Sequence, residues 1–525
     1  MRARLANPGK MGRASSRAFF LRKKRRLVRS LGPPYGVYEM GSSMASHFQV
    51  AAVAAALALL ACAGCRKPVP PGALVLTQSP ATAAATPASD IPDLLYPPGS
   101  RVVLISAPFD AGRVQVLSEG LAAAGGPTVS YDGQRVLFSG KANATEEWQI
   151  YQASPAGGGP RAMTSMPGGA MSPALLPDGG IAFVSPVPKT GGTQPAQPTA
   201  LYVQSPGGVP RRLTFSSRGI TDPTMLSDGR ILFVSTLPPE SSNSASGPAL
   251  FTINNDGTEI TAFAGPEDRN STLQQPRLLA DGRIVFLVSK SGSDSPGGVA
   301  TSVRMARPFQ SRAPLFPEAT TRVRSVESAD NGDLLVCAEN ASAARGSLAL
   351  FRINPSATTL DTPLLSDSAW NVCEAVEVSP HPRPMGRLST LDLTKSTGKI
   401  LCLDANFSSL RAGDGTPAAT RVRVLAETSP GIVCALGEVP VQADGSFLVE
   451  VPSDVPLGFE TLDGDGRVLR REAPMIWVRP AENRTCVGCH EPHNRAPHNH
   501  RPLGLSAPIP RLGLMNATPV QRNSY

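Results

Sequence analysis

The chain has 525 residues, 41% of them hydrophobic and 5% aromatic, with 49 glycines and 52 prolines. That is enough for two to four domains with a sizeable core, which excludes a disordered polymer, and the Gly and Pro content favours short elements joined by turns, so an all-β chain is expected. The net charge of +9 marks no nucleic-acid face: residues 1–39 carry eleven Lys and Arg against Glu39, and the rest of the chain sums to about −1.

From Phe48 to Ala63 the chain reads FQVAAVAAALALLACA, which is short for a transmembrane helix and suits the apolar region of a signal peptide. It runs into Leu59-Leu60-Ala61-Cys62-Ala63-Gly64-Cys65, which resembles the lipobox of bacterial lipoproteins, where cleavage falls just before a cysteine that is then diacylated. Small residues before Cys65 make it the expected lipidation site, with Cys62 as the competing register; an ordinary secretory signal or an uncleaved anchor is the plainer alternative. Residues 1–65 thus read as a basic extension and lipoprotein signal peptide, the basic part being either an unusually long n-region or a stretch upstream of a start at Met40 or Met44, the latter preferred. Residues 66–94, rich in Pro, Ala, Ser and Thr, read as a disordered tether. The expected location is the bacterial cell envelope, facing the periplasm, with membrane attachment through the N-terminal lipid.

Between residues 95 and 385 one phrase recurs: PTVSYDGQRVLFSG from Pro127, PALLPDGGIAFVS from Pro173, PTMLSDGRILFVS from Pro223 and PRLLADGRIVFLVS from Pro276. Each proline precedes the aspartate of an Asp-Gly pair by five residues (Asp132, Asp178, Asp228, Asp281), and a degenerate fifth copy places Asn331-Gly332. Asp-Gly between β runs signals a hairpin, and a second β run follows, as in ALYVQS from Ala200 and ALFTIN from Ala249. Successive aspartates lie 46, 50 and 53 residues apart, a period of one propeller blade, because a single small sheet cannot bury its faces alone. The phrase resembles the TolB-like repeat. Five units plus a blade shared by RVVLISAP from Arg101 and AVEVSPHP from Ala375 predict a six-bladed β-propeller, with a two-sheet sandwich as the competitor. Cys337 and Cys373 are either a disulfide or two buried thiols, and long insertions such as that from Pro186 are candidate partner-contacting loops.

From 386 to 505 short alternating segments predict a small β-sandwich, followed by a tail at 506–525. Asp444-Gly445 and Asp463-Gly464-Asp465-Gly466 read as hairpin turns. Cys402 and Cys434 fall in predicted strands, their state open among a disulfide, two thiols or a metal ligand. The sandwich runs through Trp477, expected in the core with a haem cover as the alternative, into Cys486-Val487-Gly488-Cys489-His490. Two thiols spaced by two residues before a histidine form the pattern for covalent haem c: two thioether positions, Cys486 and Cys489, and a nearby axial metal ligand, His490. A zinc site or a redox disulfide competes.

The run LGEVPVQADGSFLVEVPSDVPLGFETLDGDGRVL and then MIWVRPAENRTCVGCHEPHNRAP is similar to the hydrazine synthase alpha subunit middle-domain family, in which a propeller precedes a β-domain ending in a haem motif. The resemblance covers residues 95–505 and is most specific over 444–492. It implies one covalent haem c, and it also implies that the motif histidine can be turned away from iron. Hydrazine synthase makes hydrazine from nitric oxide and ammonium at this haem, uses a tyrosine just after the motif as iron ligand, and carries a second haem domain. Here that offset holds Asn494, no tyrosine follows before Tyr525, and the sequence given stops about 35 residues past the motif. An oxidoreductase that does not make hydrazine is therefore expected if the chain is an enzyme.

His498 and His500 are the candidates for the second axial ligand, with His493 nearer the motif and His381 as an outsider; a solvated polar tail is the plain alternative for the C-terminal three. Two strong ligands suit electron transfer, whereas an open position suits a small nitrogen or oxygen species. Three functions follow: a lipid-anchored haem protein passing electrons to a periplasmic redox partner with the propeller as docking platform, a redox enzyme for a small-molecule substrate, or a non-enzymatic envelope scaffold whose motif binds zinc or no metal.

Overall fold

The structure is a computed structural model that describes residues 68–81, 95–188, 198–237, 247–265, 270–290, 296–317, 321–342, 346–408, 417–489, 496 and 498–520. Cys62, Cys65, His490 and His493 lie outside the described residues, as does the insertion at 189–197.

Among the described residues, six antiparallel sheets of three or four strands follow one another through residues 74–377, the six blades of a propeller. Their inner hairpins repeat one local geometry. The backbone N–H two residues on donates to Oδ1 of Asp132 (3.0 Å), Asp178 (2.9 Å), Asp228 (3.1 Å), Asp281 (2.9 Å) and Asn331 (3.1 Å). The glycine between sits at φ from 69° to 84°, where a side chain is strained, so Asp-Gly is the pair this turn requires. Past each of the four Asp-Gly turns, Phe138, Phe183, Phe233 and Phe286 are fully buried, and the first three stack on Tyr151, Tyr202 and Phe251 of the next strand.

The repeated prolines have a different role. Pro127, Pro173, Pro223 and Pro276 each follow a residue in the left-handed region, Gly126, Ser172, Asp222 and Gln275, at a bulge in the innermost strand of their blade. Proline disfavours a right-handed helical conformation in the residue before it, which helps hold the bulge.

The ring closes through the shared blade, in the order Trp370–Glu377, Leu74–Pro80, Arg101–Ile105, Val114–Val116. Leu74–Pro80 corrects the expected tether: Leu74, Val75, Leu76, Thr77 and Gln78 are fully buried, because four β-favouring residues form a strand however polar and proline-rich their flanks. Glu374 of the closing strand is the hub. Its carboxylate accepts from Thr77 Oγ1 (2.7 Å), the Gly126 N–H (2.8 Å), Tyr96 OH (2.9 Å) and Gln275 Nε2 (3.1 Å), tying the first, second and fifth blades together.

Residues 397–519 form the expected sandwich. One sheet orders Phe447–Pro452, Thr397–Asp404 and Asn483–Gly488; the other orders Val468–Ile476, Leu457–Leu462, Arg421–Ser429, Ile432–Pro440 and Thr518–Pro519. Val422, Val424, Leu436, Phe447, Val449 and Val478 fill the space between. The expected tail at 506–525 is corrected over its described part: Arg511 pairs with Glu450 at 3.2 Å, and Thr518–Pro519 pairs with Cys434 and Ala435. So short a strand leaves no period in the sequence.

Cys337, Cys373, Cys402 and Cys434 are free thiols. Cys373 meets the Ser79 hydroxyl at 3.2 Å, and Cys434 meets that of Thr428 at 3.7 Å.

Candidate functional site

Cys486 lies on Asn483–Gly488, which runs parallel to Thr397–Asp404 with Cys402 opposite Cys486 and Asp404 opposite Gly488. Among the described residues no strand pairs with its outer side, so this is an edge strand. Gly488 is required by space, since a Cβ there would collide with the carbonyl of Phe407. Only glycine lets the motif pass this close to its neighbour.

The approach to the motif is clamped onto the propeller. Trp477, 1% exposed, packs among Leu201, Val203, Leu213, Phe233 and Ile253 and donates from Nε1 to the Gly257 carbonyl at 3.1 Å. It is a core residue at the junction of the two domains, as the plainer expectation had it. Arg479 reaches Asp454 with Nη1 at 2.7 Å and lies over the Phe215 ring at 4.9 Å. Glu482 accepts from the N–H of Arg479 at 2.7 Å and from that of Glu259 at 3.1 Å, and Arg484 donates to the Ile260 carbonyl at 2.6 Å. Burial lifts the Glu482 carboxyl above its ordinary range against those hydrogen bonds. The sequence marks this Arg-Pro-Ala-Glu-Asn-Arg run as the lead into the motif but not its anchoring role, although three charged residues there are a signal that a fixed approach is being built.

Three thiols meet at the motif. Cys486 is half-buried, Cys489 is 8% exposed, and Cys402 is sealed at 1% in the central strand. All three are free. A hydrogen bond with Cys489, burial, and the neighbouring Cys489 and Cys486 sulfurs push the Cys402 thiol well above its ordinary range. Among the described residues, which exclude His490, no group of three or more His, Cys, Asp or Glu is arranged to hold a metal ion. The donor set does fit a covalent haem c: two thiols outside any disulfide, Cys486 half-buried on the open edge of a sheet and Cys489 just past it at the margin of an apolar core.

The histidine candidates are spread out. His500 Nε2 is 3.0 Å from Asp444 Oδ2, and its Nδ1 is 3.0 Å from the His498 carbonyl, while His498 is exposed. Burial would lift the Asp444 carboxyl, but the Leu503 N–H, Ser446 and His500 together bring it down to about 2. Asp444 adjoins Gly445, whose carbonyl accepts from Ala405 N–H at 2.8 Å, next to the residue opposite Gly488. Two strand spacings, roughly 10 Å, therefore separate the Asp444 turn from Gly488 at the same end of the sheet. His381 lies elsewhere, edge-on to Tyr131 of the second blade with ring centroids 5.2 Å apart.

Fold and site together define a six-bladed propeller joined to a β-sandwich that presents a Cys-x-x-Cys edge strand. Residues 411–491 match the family described as the hydrazine synthase alpha subunit middle domain, in line with the resemblance carried by residues 444–492. The hydrazine synthase subunit alpha of Kuenenia stuttgartiensis is 32% identical over 112 residues, which are 21% of this chain and 14% of that protein's length. The solved Kuenenia stuttgartiensis hydrazine synthase shares the fold at a TM-score of 0.72 and 20% identity, over 83% of this chain and 72% of that one. TolB from Acinetobacter baumannii aligns over 58% of this chain and 66% of its own at 14% identity and a TM-score of 0.38.

Proposed function

We propose that this chain is an exported, lipid-anchored c-type haem protein of the periplasmic side of a bacterial envelope, working in electron transfer or in redox chemistry on a small nitrogen or oxygen species. The observation that carries the reading is the motif itself: Cys486 on an edge strand and Cys489 one residue past its end, neither in a disulfide, with His490 next in sequence, inside a segment that matches a hydrazine synthase middle domain. Cys486 and Cys489 would hold the haem covalently and His490 is the nearest axial ligand. Once attached, the haem supplies a one-electron couple.

The chain's own residues do the positioning. Glu482, Arg479 and Arg484 fix the foot of the motif strand on the propeller, so the attachment site moves with the larger domain instead of swinging on a linker. Asp444 holds His500 at the same end of the sheet. That bond would have to open for His500 to serve as second ligand, which favours a site with one exchangeable position. Hydrazine synthesis is not part of the proposal, since Asn494 stands at the offset where the family's tyrosine is expected.

The test is expression of the full chain with a c-type haem maturation system, followed by a haem-stained denaturing gel. A stained band that the Cys486→Ala variant loses supports the reading; an unstained wild-type band overturns it. Reduced spectra with and without carbon monoxide then divide the two roles, a shift indicating the exchangeable position and an unmoved spectrum indicating two protein ligands and electron transfer.

A further inference from the structure

We propose that the propeller face carrying the Asp-Gly turns docks on an anionic phospholipid surface, with Met385 and Leu388 entering the headgroup layer and headgroup phosphates taken by Arg283 and Arg304. The nearness of that surface rests on the lipid anchoring proposed above, whereas the chemistry of the face does not.

The corrected tether decides which face is near. The chain enters the ring at Leu74, which pairs with Glu377, and the Glu377 carboxylate accepts from the N–H of Asp330, beside the Asn331-Gly332 turn, at 2.9 Å. The entry point therefore lies on the turn face. Eight residues stand between Cys65 and Leu74, a reach of at most about 28 Å when fully extended. The Ala73 N–H, bonded to the Pro70 carbonyl at 3.2 Å, shortens that reach. A diacyl group on Cys65 thus brings this face, rather than the opposite one, to the bilayer.

Across the same face runs the segment that leaves the ring. The His381 N–H donates to the Tyr131 carbonyl at 3.0 Å, the Met385 N–H to that of Ser227 at 3.2 Å, and Arg387 Nε to that of Asp228 at 2.9 Å. The segment is thereby pinned to the turns of the second and fourth blades. Met385 is 73% exposed and Leu388 99%. Two large apolar side chains held out from a pinned backbone suit shallow insertion at a headgroup boundary.

The fourth and fifth blades add a cleft of about 600 Å³ on this face, lined by Arg230, Asp281, Arg283, Arg304 and Met305. Arg283 and Arg304 stand directly opposite one another in the ladder, a like-charge pair that costs stability and that an anion between them would relieve. Asp281 engages Arg283 at 2.7 Å and Asp228 engages Arg230 at 2.7 Å, while Arg304 is exposed. Arg230, Arg283, Arg304 and Arg387 against Asp228 and Asp281 leave a charge of +2 beside the exposed Met385 and Leu388. Guanidinium forks match phosphate oxygens, and basic and apolar side chains together fit an anionic bilayer better than a free anion.

The experiment uses the full chain made in a lipoprotein-processing host and reconstituted in phosphatidylcholine vesicles with or without phosphatidylglycerol, the acyl chains brominated. A reporter is placed by Leu388→Trp, or by Val299→Trp at the far end of the strand Val299–Arg304, and the wild-type signal is subtracted. Leu388→Trp fluorescence should be quenched in the phosphatidylglycerol vesicles and Val299→Trp fluorescence should not. Adding Arg304→Gln should lower the docked-to-undocked ratio about fivefold, and adding Arg283→Gln as well should lower it roughly twentyfold. High salt should also lower it, a check that needs no altered arginine. Absent quenching of Leu388→Trp, or equal quenching at both positions, overturns the docking face. Quenching indifferent to phosphatidylglycerol, salt and both arginine variants overturns the arginine site. The mass of the N-terminal peptide reports acylation separately: a chain without acyl groups defeats the anchoring proposed above. That chain, mixed with phosphatidylglycerol vesicles, must still show the Leu388→Trp quenching, and its failure to do so overturns the present proposal.

Discussion

Trp477 sets the strongest quantitative expectation, because it is a wholly buried side chain that belongs to the sandwich and packs into the propeller. Trp477→Ala removes a large aromatic from a packed core, which costs about 3–5 kcal/mol. It also leaves the Gly257 carbonyl without its 3.1 Å donor, a further loss of about 1 kcal/mol. Against a total stability of roughly 5–15 kcal/mol this is large, and it falls on the junction and not on either core alone. Trp148 and Trp370 both lie in the propeller and remain as fluorescence reporters, while circular dichroism follows all the strands. The wild type should unfold in urea with the two signals coincident; in Trp477→Ala the sandwich should separate first. Trp477→Phe keeps the ring against Phe215 and should lose about 1–2 kcal/mol. A Trp477→Ala protein that loses under about 1 kcal/mol, or whose main change is a shifted haem absorption, would refute the placement of Trp477 between the domains and favour a haem cover.

Three other outcomes follow from the same geometry. Gly488→Ala should push the motif strand off the Phe407 carbonyl and lower the yield of haem-loaded protein severalfold, measured by haem stain per unit of chain; unchanged yield would contradict the close approach. Burial raises the Asp222 carboxyl, outweighing Arg277 and the Gln275 N–H, so its contribution to stability is complete below the ordinary carboxylate range and is lost as pH rises through the raised value. Asp222→Asn, which also suits a left-handed position, should flatten that decline in a series of thermal melts from pH 3 to pH 8; a parallel decline in the variant would rule the group out. Asp444→Ala should free His500 and the Leu503 N–H, raising hydrogen exchange across 500–505 while the sandwich core stays protected, and equal exchange would mean that another contact anchors the segment.

The repeat was legible because its turn chemistry is local: an Asp-Gly pair needs only its own backbone to announce a hairpin, and a buried phenylalanine follows past each of the four Asp-Gly copies. The proline's function was not legible, since a left-handed residue before Pro127 or Pro223 is fixed by the ring around it. The strand Leu74–Pro80 was hidden by composition, its four β-favouring residues averaged into a proline-rich neighbourhood. The two motif cysteines could be named from spacing alone. Cys402 could not be joined to them, because 84 residues of chain separate it from Cys486 and only the parallel register brings the two together. Glu374 was invisible for the same reason: its donors come from Thr77, Tyr96, Gly126 and Gln275, none of them near it in sequence.

The central claim is tested most directly by mapping the attachment itself. Wild-type protein matured with the c-type machinery is digested with trypsin, and the peptide 485–495 is isolated by its haem absorbance and sequenced by mass spectrometry. The account predicts one haem on that peptide, bonded through both Cys486 and Cys489, and no haem elsewhere in the chain. Recovery of the peptide with both thiols free and alkylated, from protein matured alongside a haem-loaded control cytochrome, would contradict it.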